Sequence, residues 1–443
     1  MQKFKLSKYN FFVPQNERII FHNLLSGSLF TLEKSIFDEL EPLLSNLDLL
    51  IKHSEPIFSM LFKTGFIVES DFDEIDLLRF NYIKEVSSNP LFKLIINPTL
   101  ECNFACWYCY QNHPKGYMIS TIQNRIKEMT KKLIDSKQYS GINLGWFGGE
   151  PLLYFDQVIY PLSKHISSII ENKDLIFYNS ITTNGYLISE KSINKFNEIK
   201  LNEFQITIDG NEQAHNKIRN VDGKPSYDKI INNINLLATR IENAKICLRI
   251  NYTSGTFNGL DAIFDSFSTN AKKNIHIDLQ RVWQTYDEEG TPLGEEAIIF
   301  SNKCLDNGFN LLNPYVDSSK GCPCYADKIH FAHINFDGKI YKCTARNYEE
   351  INELGYIDEN GIIQWDPKKL MPPHRKLSFE NKTCINCKFL PVCLGPCFQK
   401  RYENRSHSSF CFINSYKVFF PEYIKLKYKQ KFNNHKVENS PLL

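Results

Sequence analysis

The chain has 443 residues, room for two to four domains at about 150 residues each, every one able to bury a real core. Lysine and arginine total 52 against 50 acidic residues, so no global field recruits nucleic acid, an anionic membrane or an acidic substrate. No stretch approaches the roughly 18 apolar residues of a membrane span, and the N-terminus MQKFKLSKYNFFVPQNE has no apolar run behind its lysines, so the expected compartment is the cytosol. Thiols stay reduced there, and thirteen cysteines are then expected to bind metal or do chemistry rather than pair as disulfides.

From Phe4 to Glu69 the pattern predicts strands at Tyr9 to Val13 and Arg18 to Asn23, then helices around Thr31 to Leu44 and Ile57 to Lys63. A strand at Gly65 to Glu69 closes a small winged-helix-like α+β module. Nine basic against thirteen acidic residues through Pro90 argue against the DNA-binding use of such a unit. Ser70 to Asn89, acidic and then helical, reads as a linker helix, which completes a first unit over residues 1–90.

From Leu91 strands and helices alternate. Strands are predicted at Phe92 to Asn97, Ile142 to Phe147, Leu175 to Thr182, Glu203 to Ile208, Lys245 to Tyr252 and Ile275 to Val282. Amphipathic helices such as Thr121 to Leu133, Asp156 to Ile170 and Tyr227 to Arg240 lie between them. Six short apolar strands in this rhythm predict an α/β fold, a parallel sheet with right-handed crossovers curving into a partial (β/α)6 barrel over residues 91–290. A linker with one helix, Gly294 to Cys304, occupies residues 291–320, and a cysteine-rich, metal-organised domain occupies 321–412. Tyr416 to Lys436 in the tail, 413–443, reads as a packed basic helix.

Directly after the first barrel strand comes Cys102-Asn-Phe-Ala-Cys106-Trp-Tyr-Cys109. A structural zinc wants four closed ligands, whereas three thiolates leave one iron of a [4Fe–4S] cluster open. Site loops on the C-terminal side of a parallel sheet suit such a centre. A zinc site completed by His113 is the alternative for this loop taken by itself.

Cys102, Cys106 and Cys109, with the aromatic Tyr108 before the last cysteine, resemble the signature of the radical S-adenosylmethionine (SAM) family. The resemblance implies that the open iron chelates SAM and that one electron cleaves it to methionine and a 5′-deoxyadenosyl radical. Further landmarks follow in the family's order. Gly148-Gly149-Glu150-Pro151 resembles the segment that meets the SAM amino group, its glycines allowing close backbone approach and Glu150 offering an acceptor. Thr182-Thr183-Asn184-Gly185 and Thr207-Ile208-Asp209-Gly210 resemble positions that bind SAM or brace the site, with Arg219 a further candidate. Read singly, Asn-Gly and Asp-Gly are ordinary turn formers, and their joint order carries the weight.

The later cysteines run Cys322-Pro-Cys324, Cys343, then Cys384-x2-Cys387-x5-Cys393-x3-Cys397 and Cys411. This is similar to the SPASM pattern, which implies two auxiliary [4Fe–4S] clusters and three clusters in all. By that resemblance Cys384, Cys387, Cys393 and Cys411 hold one auxiliary cluster, while Cys343 and Cys397 help hold the other, completed by Cys322 and Cys324. Eleven thiolates serve three such clusters, and eleven remain once Cys247 and Cys304 are read as core residues. A zinc knuckle is the alternative for the Cys384 to Cys397 run.

The SPASM branch includes peptide maturases and formylglycine-generating sulfatase maturases. The latter carry an aspartate base after the cysteine equivalent to Cys343, where this chain has Thr344. The N-terminal extension resembles the leader-recognition module of peptide maturases, able to capture an extended leader by β-augmentation. The favoured expectation is therefore a maturase that abstracts hydrogen from a residue of a ribosomally made precursor peptide to install a crosslink or similar oxidation. Its partners would be the leader-bearing precursor and a flavodoxin- or ferredoxin-type electron donor, with neither nucleic acid nor membrane. An anaerobic sulfatase-maturating enzyme and a non-catalytic zinc-binding adaptor are the alternatives.

Overall fold

The computed structural model describes residues 3–88, 90–171, 173–285, 292–312, 323–375, 377–403, 411 and 419–438. The chain forms two compact units, one built from residues 1–86, 313–324 and 375–443 and the other from residues 87–312 and 325–374. Among the described residues no helix is long and apolar enough to cross a membrane.

In the first unit β1 (Phe4–Leu6) pairs with β5 (Ile67–Glu69), while β2 (Asn10–Gln15), β3 (Arg18–Asn23) and β4 (Leu29–Glu33) form an antiparallel sheet. The sequence reading merged β4 into the helix that follows; the helix begins only at Lys34. β3 is apolar on both faces because it is covered on both. Ile19 and Phe21 join a core with Phe37, Leu40, Leu50, Leu61 and Phe66 from the helical side. Ile20 points into a second core with Tyr9, Val13, Leu24, Leu78 and Tyr82, which also contains Phe379, Leu390, Val392, Phe420 and Ile424. Cys384 and Cys393 pack against that second core.

This corrects the expected division of the chain. The N-terminal module, the cysteine run from Cys384 and the terminal helix Phe420–Glu438 share one core and are not three separate domains.

The second unit is a single eleven-stranded sheet. Its parallel part comprises β6 (Leu91–Ile96), β7 (Gly141–Trp146), β8 (Ile176–Thr183), β9 (Leu201–Ile208), β12 (Lys245–Tyr252) and β13 (Ile275–Arg281) in adjacent order, with β10 (Asn220–Val221) and β11 (Lys224–Pro225) forming a small separate hairpin. These six match the six predicted strands. The sheet continues past both predicted edges: β14 (Asn310–Leu311) extends it beyond β13, and β15 (Phe331–Ile334) pairs parallel with β6. β16 (Lys339–Tyr341), β17 (Gly355–Ile357) and β18 (Ile363–Trp365) follow as an antiparallel meander. The expected 321–412 domain is thus split, with Cys343 on the barrel sheet's unit and Cys384 to Cys411 in the other.

Alternation along β12 shows how the strands create an interior. Ile246, Leu248 and Ile250 are buried, whereas Cys247, Arg249 and Asn251 occupy the opposite face and line a cavity.

The shared core gives a test of the first unit. Ile424→Ala, in the terminal helix, should destabilise the unit by about 2–5 kcal/mol. Hydrogen exchange should quicken at Ile20 and Leu24 as well as in the helix, and exchange confined to the helix would contradict a common core.

Candidate active site

The segment from Glu101 to Tyr117 has almost no regular structure, so its shape is imposed from outside. Its base is closed by a bridge between Thr99 and Tyr117 and by Met118 N donating to Pro98 O at 2.8 Å. Cys102, Cys106 and Cys109 lie on this loop and all three line a cavity of about 900 Å³ enclosed by the inner faces and C-terminal ends of the parallel strands. That is the upper range of small-molecule sites, with room for a cofactor and part of a substrate.

Five strand ends of the parallel part grip this loop. After β7, Glu150 N donates to Glu101 O at 2.7 Å and Gly149 N to Thr99 O at 3.4 Å. After β8, Asn184 Nδ2 donates to Asn103 Oδ1 at 2.8 Å. After β9, Asp209 accepts from Tyr108 OH at 2.6 Å, and Arg219 Nε donates to the same carboxylate oxygen at 2.6 Å. The Tyr108 oxygen in turn accepts from Arg219 Nη2 at 2.6 Å and from Asn251 Nδ2, on β12, at 3.1 Å. Beyond β13, Gln284 Nε2 donates to Tyr108 O at 2.6 Å. Burial is the largest influence on Arg219 and opposes its charge, yet Asp209, Tyr108 and Cys106 together hold the guanidinium well above its ordinary value. Burial foremost keeps Tyr108 protonated, as a donor to Asp209 must be.

Two motif carboxylates, Glu150 and Asp209, sit behind the cavity wall. Glu150 is fully buried and is not on the cavity wall. Its carboxylate accepts from Leu152 N at 3.0 Å, Thr183 Oγ1 at 2.7 Å and Asn184 N at 2.7 Å, so it ties β7 to β8. Asp209 is likewise off the wall and acts through Tyr108 and Arg219. The glycines also answer to protein rather than ligand. A Cβ on Gly148, at φ +117°, would come within 2.2 Å of Thr99 O, and one on Gly149 within 2.2 Å of Glu101 O. Gly148, Gly149, Thr182, Asn184, Thr207, Arg219 and Tyr108 do line the cavity.

Cys304 is buried as expected, but Cys247 belongs to the cavity wall and not to the core. Sequence reading also passed over Asn251, Gln284 and Asn103. For Asn251 the signal was present, since Cys247, Arg249 and Asn251 place polar groups at every second position of a strand.

Burial pushes Cys102 up to about 12 and raises Cys106. Burial is the largest influence on Cys109 and raises it, but hydrogen bonding with His113 and the backbone at Gln111, together with the charges of His113 and Arg219, holds it below its ordinary value. His113 Nδ1 is anchored on Leu100 O at 2.8 Å. Among the described residues no three His, Cys, Asp or Glu side chains converge as ligands of a single metal ion do. In the other unit, burial pushes Cys393 up to about 11, with Cys411, Cys387 and Cys384 adding to the shift. Cys397 precedes the helix Phe398–Glu403, Cys343 follows β16 and accepts from Ala345 N at 3.4 Å, and Cys324 is exposed. Cys322 lies outside the described residues.

Residues 96–264 match the family model described as Radical SAM superfamily. A cysteine-type anaerobic sulfatase-maturating enzyme of Clostridium perfringens is 24% identical over 371 residues, covering 75% of this chain and 96% of that protein. Among solved structures, native anSMEcpe with bound AdoMet and Cp18Cys peptide superposes with a TM-score of 0.58 at 19% identity, covering 78% of this chain and 99% of that one. Streptococcus suis SuiB bound to precursor peptide SuiA superposes with a TM-score of 0.53 at 14% identity, covering 92% of this chain and 98% of that one. A partial barrel with a cysteine loop at the C-terminal end of its first strand and a radical SAM match over that barrel define the class. The chain is a radical SAM enzyme, which sets the zinc adaptor aside.

Glu150 supplies the test of this geometry. In Glu150→Gln one carboxylate oxygen becomes an NH2 group facing a donor, which leaves a buried pair unsatisfied at a cost of about 1–3 kcal/mol. The ligand-free protein should melt at lower temperature. An unchanged melting temperature with weakened SAM binding would give Glu150 a ligand role instead.

Proposed function

We propose that this radical SAM enzyme is a maturase acting on a ribosomally made precursor peptide, in the cytosol, with a flavodoxin- or ferredoxin-type donor. Cys102, Cys106 and Cys109 would hold the cluster that takes SAM, and when bound these groups supply a 5′-deoxyadenosyl radical. Thr182, Asn184, Thr207 and Arg219 would face SAM from the wall, and the backbone at Gly148 and Gly149 would approach it. The Asp209–Arg219–Tyr108 network keeps the cysteine loop still, so the reacting atoms meet in one orientation.

The observation that carries the choice of substrate is Thr344. It lines the cavity where sulfatase maturases carry an aspartate, and its hydroxyl pairs with Tyr325 OH at 2.5 Å. Among the described lining residues the one carboxylate is Glu203, held by Lys245 at 2.9 Å near the opposite end of the strands. A site lacking a carboxylate at that position is poorly equipped to take the proton that formylglycine formation releases. The fold match to SuiB bound to its precursor peptide SuiA covers 92% of this chain. The sulfatase-maturating reading is the second one, favoured by a sequence relative of nearly equal length to its match.

Reduced enzyme incubated with SAM and the short precursors encoded beside its gene should remove hydrogen from one of them, seen by mass spectrometry. Conversion of a sulfatase cysteine or serine peptide to formylglycine, with every precursor unchanged, would select the sulfatase reading. We also propose that Cys384, Cys387, Cys393 and Cys411 hold one auxiliary cluster and Cys322, Cys324, Cys343 and Cys397 serve another. Anaerobically reconstituted protein should then carry about twelve iron atoms per chain, and Cys102, Cys106 and Cys109 changed together to Ala should lower this by about four. Loss of all iron in that variant would contradict separate sites.

A further inference from the structure

Cys384 and Cys393 pack against the core to which the N-terminal module contributes Tyr9, Val13 and Ile20. Lys8 Nζ donates to Ile385 O at 2.8 Å, inside the loop Cys384-Ile-Asn-Cys387. Tyr9 is fully buried in the core against which Cys384 and Cys393 pack. Its hydroxyl has no hydrogen-bond partner among the described residues, although a buried phenol ordinarily finds one. The Lys8 ammonium lies 5.0 Å from the Tyr9 ring centroid, so the two groups occupy one place beside the cysteines.

Resting on the reading of Cys384, Cys387, Cys393 and Cys411 as auxiliary-cluster ligands, we propose that Tyr9 donates its hydroxyl hydrogen to a sulfur of that cluster. Lys8 holds the ligand loop and adds positive charge, and together they raise the cluster's reduction potential. Hydrogen bonds to cluster sulfurs and nearby charge are principal determinants of such potentials, because they stabilise the more negative, reduced state. A phenol is protonated at neutral pH and can donate its hydroxyl hydrogen. The N-terminal module is thereby an electronic part of the cluster site as well as a neighbour of it.

The test uses the full chain, reconstituted anaerobically and poised at fixed potentials while cluster signals are read by electron paramagnetic resonance. The auxiliary signal is the one that Cys387→Ala removes. At the wild-type midpoint, Tyr9→Phe should lower the reduced-to-oxidised ratio of that signal about fivefold, the effect of one lost hydrogen bond, and leave the SAM-cluster signal in place. Lys8→Gln, at an exposed position, should move the ratio in the same direction. A signal present but unmoved by both changes overturns this inference alone. A wild-type protein with no signal sensitive to Cys387→Ala overturns the auxiliary-cluster reading and this inference with it.

Discussion

The active site depends on a buried ion pair that holds a loop with almost no structure of its own. Arg219 and Asp209 meet at 2.6 Å with side chains 10% and 2% exposed, and both hold Tyr108, the residue just before Cys109. Removing one partner of such a pair strands a buried charge, at about 3–5 kcal/mol, so the network is all or nothing. Glu150 performs the matching task on the other side, joining β7 to Thr183 and Asn184, which reaches Asn103 in the same loop. Three thiolates that must present themselves to one cluster are thus placed by five strand ends, and the barrel is the device that makes those ends converge.

This changes the meaning of the motif residues. Several motif positions also brace the site through protein contacts. Gly148 and Gly149 lack side chains because the backbone of Thr99 to Glu101 fills the space a Cβ would need. Asp209 and Glu150 act on the cofactor's surroundings through the cysteine loop. The residues facing the cavity are their neighbours, Thr182, Asn184, Thr207 and Arg219.

The barrel was legible because each strand is a short apolar run set between amphipathic helices, and that rhythm survives without any knowledge of tertiary contacts. The cysteine loop was legible because three thiols so close in sequence have few other uses. Sheet extension by β14 and β15 was not, since a two-residue strand and a four-residue strand carry no period of their own and form only because β13 and β6 offer edges. The common core of the first unit was invisible for a similar reason. Ile20 and Ile424 are separated by some four hundred residues, and nothing local to either states that they meet. Cys247 was misread because an isolated strand cysteine is most often core, and only the register of β12 turns it inward.

The central claim is that the Cys102, Cys106 and Cys109 loop, clamped in this cavity, is where SAM is cleaved. The most direct measurement is chromatographic detection of 5′-deoxyadenosine from dithionite-reduced, iron-replete protein supplied with SAM, in parallel for wild type and for the variant with those three cysteines changed to Ala. The account expects release from wild type and none from the variant while its remaining iron stays bound. Equal release from both, or none from iron-replete wild type, would contradict it.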